Sequence, residues 1–332
     1  MANSIKRHQN KQLLAKPFLK WAGGKTQLLS QIQTLYPPDL IHGTLTNYVE
    51  PFIGGGAVFF DVVQKYGISS AFLYDINPAL IIVYTTIKKD LEKLIEKLID
   101  FSEKYKILDE NQRKDYFYQI RDQYNIQRQT FNLYQYNKEW ITRTAQLIFL
   151  NRTCFNGLFR LNKQGDFNVP YGRYKNPKIV DEQNLTAVSH LLQIAEIKLG
   201  DFQQCQDHIN SKTFVYFDPP YRPLNATARF TAYSTFSFDD KQQRRLGKFF
   251  AEMNELTNAK MMLSNSDPKN EDPNDNFFDV LYQDFTIHRV AAKRMINSNA
   301  KRRGTISEII VTNYDHDALS FERESDIQSE II

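Results

Sequence analysis

Short apolar runs recur along the chain, and each stops abruptly at a polar or glycine-rich turn. The sharpest is Thr213-Phe-Val-Tyr-Phe, which ends in Asp218, Pro219, Pro220 and Tyr221. An aromatic, β-branched run reads as a buried strand, and two prolines cannot continue a ladder, so an acid is set on a strand tip. Similar units are 47–50 followed by Pro51, Phe52 and three glycines, 71–77 with Asp75 near its end, 197–202 ending at Asp201 and Phe202, and 260–264. Residues 286–290 and 306–312 suit a closing hairpin.

Between these runs the period changes. Leu91, Leu94, Ile95, Leu98 and Ile99 fall at helical spacing and predict an amphipathic helix over 88–105. Residues 27–35 and a buried stretch at 140–150 also read as helices, and Asp239 is placed to cap one running to about 253. Residues 108–139 are polar and aromatic and predict helices outside the sheet. Strands alternating with helices, closed by an antiparallel hairpin, indicate an α/β, Rossmann-like fold with seven strands. An inserted, mostly helical part is expected over 91–195, between catalytic parts at 16–90 and 196–314. A basic extension (1–15) and a polar tail (315–332) flank them.

Composition narrows the picture. The 332 residues are enough for a sizeable core, and two cysteines, Cys154 and Cys205, build no disulfide framework. No signal core or long apolar stretch is evident, so a soluble, cytoplasmic protein is expected. The net charge is only +4, but positives cluster at Lys6, Arg7 and Lys11 and at Lys293, Arg294, Lys301, Arg302 and Arg303. Interleaved with aromatics, such clusters suit a polyanion, although a solvated surface has the same composition.

The glycine motifs exclude two chemistries. Gly24-Lys25-Thr26 would need a glycine where Leu19 stands to be a triphosphate loop, and the glycines after Phe52 lack a third glycine at Phe59 for a dinucleotide fingerprint. Asp75, about twenty residues past those glycines, is where a ribose hydroxyl would be held, so an adenosine-like ligand remains. Residues 155–174 have hairpin character around Gln164-Gly165-Asp166 and carry Phe155, Asn156, Arg160, Arg173 and Tyr174, side chains suited to reading or replacing bases. A mobile surface hairpin fits that composition too. The aromatic stretch 229–238 suits a lid or a packed loop.

Taken together, Lys20-Trp21-Ala-Gly-Gly-Lys25, Glu50-Pro-Phe-Ile-Gly-Gly-Gly56, Phe155-Asn-Gly-Leu-Phe-Arg160 with Pro170-Tyr-Gly-Arg-Tyr174, and Asp218-Pro-Pro-Tyr221 resemble the alpha-group Dam family of DNA adenine-N6 methyltransferases. The chain is especially similar to those of the DpnII and MboI restriction-modification systems, over about 16–314. The resemblance implies S-adenosyl-L-methionine as cofactor, S-adenosylhomocysteine as product, and no metal. It implies a cofactor site at Trp21, Gly23, Gly24, Lys25, Glu50, Pro51, Phe52, Gly54, Gly56, Asp75, Ile76, Asp201, Phe202 and Asp218, with Asp75 at the ribose and Phe202 at the adenine ring. The catalytic motif is Asp218, Pro219, Pro220 and Tyr221. DNA contacts are implied at Lys20, Arg152, Phe155, Asn156, Leu158, Arg160, Pro170, Arg173 and Tyr174, with Phe155 intercalating where the best-known relatives carry Tyr.

The expected function is methylation of a flipped-out adenine in double-stranded DNA, within GATC, by a monomer that protects DNA beside a cognate restriction endonuclease or works as an orphan methylase. Other readings are another adenine-containing site, an RNA or protein-glutamine amine, or a non-enzymatic DNA-binding protein with a relict pocket.

Overall fold

The computed structural model describes residues 14–128, 131–222, 238–293 and 305–315. The first basic cluster, Arg294 and 301–303 of the second, residues 229–237 of the expected lid, and most of both termini lie outside the described residues.

Seven strands form one mixed sheet: β1 Asn47–Glu50, β2 Ser70–Asp75, β3 Ala195–Leu199, β4 Thr213–Phe217, β5 Lys260–Ser266, β6 Thr286–Lys293 and β7 Thr305–Thr312. Their order is β3-β2-β1-β4-β5-β7-β6. The first five pair in parallel, and β7 runs antiparallel between β5 and β6. Every residue of β4 is buried. Phe214 and Tyr216 join Tyr48, Phe59, Met262 and Ile310 in one core, while Val215 and Phe217 join Val49, Phe249, Leu263 and Ile309 in another. Successive side chains leave a strand on opposite sides, so β4 is covered on both faces, and its sequence is a continuous apolar run for that reason. Strand order reverses between β1 and β4. The crossovers there leave to opposite faces and open a crevice at the strands' carboxyl ends.

The described helices are α1 Leu29–Gln33, α2 Pro38–Ile41, α3 Ala57–Lys65, α4 Pro78–Lys89, α5 Leu91–Ile107, α6 Glu110–Gln127, α7 Glu139–Thr153, α8 Glu182–Leu192, α9 Asp240–Thr257 and α10 Phe277–Leu281. The expected buried helix is α7, with α4, α5 and α6 packed around it. Tyr105, Phe117 and Phe149 belong to the same core as Tyr48 and Phe214. Among the described residues, no helix is long and apolar enough to cross a membrane.

Several boundaries differ from expectation. The helix expected over 88–105 is two helices, because Asp90 leaves helical geometry (φ −138°, ψ 49°) and accepts hydrogen bonds from Lys93 Nζ and the Tyr136 hydroxyl. The helix expected over 27–35 is a 3₁₀ turn, Lys25–Gln27, followed by α1. β2 stops at Asp75, and the Asn77 side chain caps α4 by accepting from Ala79 N–H at 3.0 Å. β3 stops at Leu199, and Asp201 caps the 3₁₀ helix Phe202–His208. α9 is capped by Asp239, as its sequence predicts, and runs on to Thr257.

The 155–174 arm doubles back, but its ladder is reduced to two isolated bridges, Cys154 with Tyr171 and Leu161 with Phe167. The reason is local. Asn125 of α6 clamps Phe167, accepting its N–H at 2.8 Å and donating to its carbonyl at 3.1 Å, and the Asn162 side chain closes the turn by accepting from Gln164 and Asp166 N–H. Side-chain amides thus take backbone groups that a facing strand would otherwise satisfy.

Candidate active site and nucleic-acid interface

Asp218 stands where β4 ends, at the crevice. Its Oδ1 accepts from Lys25 Nζ at 2.5 Å and from Ser264 Oγ at 3.1 Å. Lys25 is only 2% exposed. Burial of an ammonium is tolerable when it is paired and hydrogen-bonded, and Lys25 also donates to the Gly23 carbonyl at 3.0 Å and sits 4.7 Å from the Tyr221 ring centroid. Burial pushes the Asp218 carboxyl above the usual range, and the Lys25 charge opposes that shift. One strand over, buried Glu50 accepts from the Tyr48 hydroxyl at 2.8 Å; burial raises it well above the ordinary carboxylate value, Tyr48 opposes the rise, and the Asp218 charge adds to it.

The chain after Asp218 is pinned by other elements. Gln243 Nε2 donates to the Pro220 carbonyl at 3.1 Å, and the Tyr221 hydroxyl donates to Glu308 of β7. Arg222 donates from its backbone to Asn265 Oδ1, and its guanidinium bridges Asp240 at 2.7 Å and Asp275 at 2.6 Å. Among the described residues, Asp218 Oδ2 and the Pro219 carbonyl have no hydrogen-bond partner. Two acceptors therefore remain at the strand tip.

Asp218, Pro219, Pro220 and Tyr221 line a cavity of about 440 Å³ together with Trp21, Gly23, Gly24, Phe52, Gly54, Asp75 and Ile76. Asp75 accepts from Asn77 N–H at 2.9 Å and Gly54 N–H at 3.2 Å, and burial raises its carboxyl to about 6. Gly54 has φ +45°, and a Cβ there would stand 3.3 Å from the Trp21 ring, so glycine keeps the wall open. Apolar walls, a carboxylate on the rim and this volume fit an adenosine-sized ligand.

The other predicted cofactor residues do not line the cavity. Lys25 is buried against Asp218, and Glu50 and Pro51 are buried. Phe202 stacks behind Phe52 at 5.5 Å. Gly56 (φ +69°) admits the Tyr84 hydroxyl where a Cβ would come within 2.6 Å of it. Asp201 accepts from Arg245 at 3.0 Å, whose guanidinium lies 4.5 Å over Phe202. Sequence reading missed the lining residues Ala22, Gly55, Asn77 and Phe238, and the pinning residues Ser264, Asn265, Gln243, Arg222 and Glu308. The polar Ser264-Asn265-Ser266 end of an otherwise apolar β5 was a readable signal; nothing local marks Gln243 or Glu308.

In the arm, Phe155 is 52% and Leu158 38% exposed, and Asn156, Arg160, Pro170 and Arg173 are exposed too. Asn156 (φ 54°) and Arg173 (φ 57°) are left-handed. Arg160 donates to Asn168 Oδ1 at 2.7 Å. Lys20 Nζ lies 5.1 Å over the Tyr174 ring. Arg152 departs from the group: it is half-buried and donates to the Phe18 carbonyl at 2.7 Å. Asn151, unmarked in the sequence, joins the two regions, since its side chain accepts from Lys20 N–H at 2.8 Å and donates to the carbonyls of Lys20 and Gly157.

A Rossmann-like sheet with an acid-Pro-Pro-Tyr strand tip beside an adenosine-sized cavity defines a class, and residues 21–296 match the model of that class. The chain belongs to the D12 class N6 adenine-specific DNA methyltransferases. It is 48% identical to the Type II methyltransferase M.MjaIII of Methanocaldococcus jannaschii, over 90% of this chain and 99% of that one. It is 38% identical to the Type II methyltransferase M1.LlaDCHI of Lactococcus lactis subsp. cremoris, covering 92% and 98%, and 32% identical to the DNA adenine methylase of Escherichia coli K12, covering 89% and 94%. The protein is thus an enzyme that methylates adenine N6 in DNA, and its family implies S-adenosylmethionine as donor and duplex DNA as substrate.

Proposed function

We propose that the enzyme methylates the adenine of GATC in double-stranded DNA after turning that base out of the helix into the pocket at Asp218 to Tyr221. The observation that carries this reading is that Asp218 and Pro219 line the cavity while, among the described residues, Asp218 Oδ2 and the Pro219 carbonyl have no hydrogen-bond partner. Adenine N6 is a poor nucleophile because its lone pair is conjugated with the ring. Accepting both its hydrogens at two fixed points would turn the lone pair outward, and the excess proton left on nitrogen after transfer passes to Asp218 or to water. Tyr221 offers the stacking face, and Phe155 fills the gap in the duplex.

S-adenosylmethionine, held by Trp21, Phe52, the Gly54 loop and Asp75, would supply a methyl group on a sulfonium, which departs as S-adenosylhomocysteine. Phe202 backs Phe52 rather than lining the cavity, so the adenine ring is assigned to Phe52 and Ile76 with Phe202 as support. Lys20, Asn156, Leu158, Arg160, Pro170, Arg173 and Tyr174 are assigned to DNA, and Arg152 to holding the Phe18 segment. Residues 91–195 serve as the target-reading part, with 16–90 and 196–314 as the catalytic part.

The likeness to Dam, DpnII and MboI enzymes in the arm supports GATC. The Type II names of two relatives support a protective role beside a restriction endonuclease. The enzyme would act as a monomer in the cytoplasm, where DNA is at hand. The test incubates the protein and labelled donor with two duplexes that differ only in GATC. Label confined to the GATC duplex is expected; equal label in both overturns the specificity, and label in neither overturns the activity.

A further inference from the structure

We propose that Ser264, backed by Tyr216, is a positioning residue for methyl transfer: it holds one oxygen of Asp218 so that the other is presented to the target amine. The inference rests on the reading of Asp218 as the group that meets adenine N6.

Hydrogen accounting gives the arrangement its direction. Ser264 Oγ is 3.1 Å from Asp218 Oδ1 and 2.9 Å from Tyr216 Oη. An ionised carboxylate only accepts, so the single Ser264 hydrogen goes to Asp218, and Tyr216 must then donate to Ser264. Both side chains are 0% exposed, so solvent does not compete for these bonds. The chain Tyr216 to Ser264 to Asp218 is one-way, and such chains strengthen each member.

Lys25 reaches the same oxygen from the opposite end of the sequence, at 2.5 Å. An ammonium is a compact charge that holds the carboxylate in place but tolerates rotation about its bond to Cβ. A hydroxyl fixed on β5, itself aimed by a tyrosine on β4, defines an angle. With both donors on Oδ1, the carboxyl plane is set, and Oδ2, which has no partner among the described residues, is left for the substrate.

The experiment compares Ser264→Ala, Tyr216→Phe and the double variant in single-turnover methylation of a duplex substrate, with donor and DNA affinities measured by calorimetry on the same preparations. Ser264→Ala is expected to slow transfer by about 10- to 100-fold, less than loss of a donor that meets the reacting atoms directly because Ser264 acts through Asp218, with affinities unchanged. Because Ser264 stabilises the ionised form of Asp218, its loss should also move the acid limb of the pH–rate profile to higher pH. Tyr216→Phe should cost only a few-fold, and the double variant, which leaves no buried hydroxyl unpaired, should be no slower than Ser264→Ala, since Tyr216 acts through Ser264.

A wild-type rate and acid limb in Ser264→Ala would overturn the proposal, as would losses that multiply in the double variant. If Ser264→Ala folds poorly, the double variant decides by the same criteria. Asp218→Asn is run alongside. A wild-type rate there refutes the role of Asp218 itself, whereas an inactive Asp218→Asn with an unaffected Ser264→Ala refutes the role of Ser264 alone.

Discussion

At the tip of β4, Asp218 Oδ1, the Pro220 carbonyl, the Tyr221 hydroxyl and Arg222 each meet a partner from another element, and most of those partners are buried. Side chains from the Lys25–Gln27 turn, α9 and β7 hold these four residues in place. In the arm, by contrast, two bridges stand in for a ladder, and the side chains assigned to DNA face solvent or lean on neighbours within reach, as Lys20 leans on Tyr174 and Arg160 on Asn168. The contrast fits the roles proposed for the two regions. Reacting atoms have to be placed within about half an ångström, so their geometry is fixed before the ligand comes. Groups that read bases meet a deformable partner and gain by reorienting on it, at the cost of ordering them then.

The largest effect should come from the pocket: Asp218→Ala is expected to lower turnover by about 10³-fold or more while gel-shift binding of a GATC duplex persists. Loss of DNA binding in parallel with turnover would erase the distinction between the two regions. In the arm, Arg160→Ala should cost about 1–3 kcal/mol and relax discrimination at one base pair, read from methylation rates on duplexes with single substitutions in GATC. An unchanged preference would remove Arg160 from the reading set.

The smallest effect concerns the pocket rim. Asp75 keeps its proton up to about pH 6, whereas an unfolded aspartate releases it near 3.9, so the unfolded chain binds fewer protons between those values and this group lowers stability as pH rises through the window. Ribose hydroxyls donate best to the ionised form, which pulls the other way. Donor affinity by calorimetry should therefore be about 10-fold weaker at pH 5 than at pH 7.5, while an equal affinity at both would detach Asp75 from the donor.

The sequence exposed these two regions unequally. The strand tip was legible because prolines and an acid interrupt an apolar run, and β4 is apolar throughout because both its faces are covered. α7 was legible for a similar reason. What held the tip in place was not, since Gln243 looks like any polar helix residue and Glu308 like the outward acid of an alternating strand, though it is only 8% exposed. Their role depends on neighbours far along the chain. Arg152 was less legible: a basic residue beside the arm suggests DNA, and the structure shows its half-buried side chain donating to the Phe18 carbonyl. The break at Asp90 was hidden because apolar spacing continues across it, and only the Lys93 and Tyr136 contacts show why the helix ends.

The hydrogen bond from Tyr221 to Glu308 has a consequence in time as well as in space. Lys25 precedes Asp218 by 193 residues, and Glu308 of β7 follows Tyr221 by 87. A ribosome therefore has to deliver the chain through Glu308 before the strand tip has these supports, and a nascent chain that already carries Asp218, Pro219, Pro220 and Tyr221 still lacks the β5 hydroxyl and the β7 carboxyl that hold them. Chains cut before Glu308 would lack one of the contacts that hold the tip.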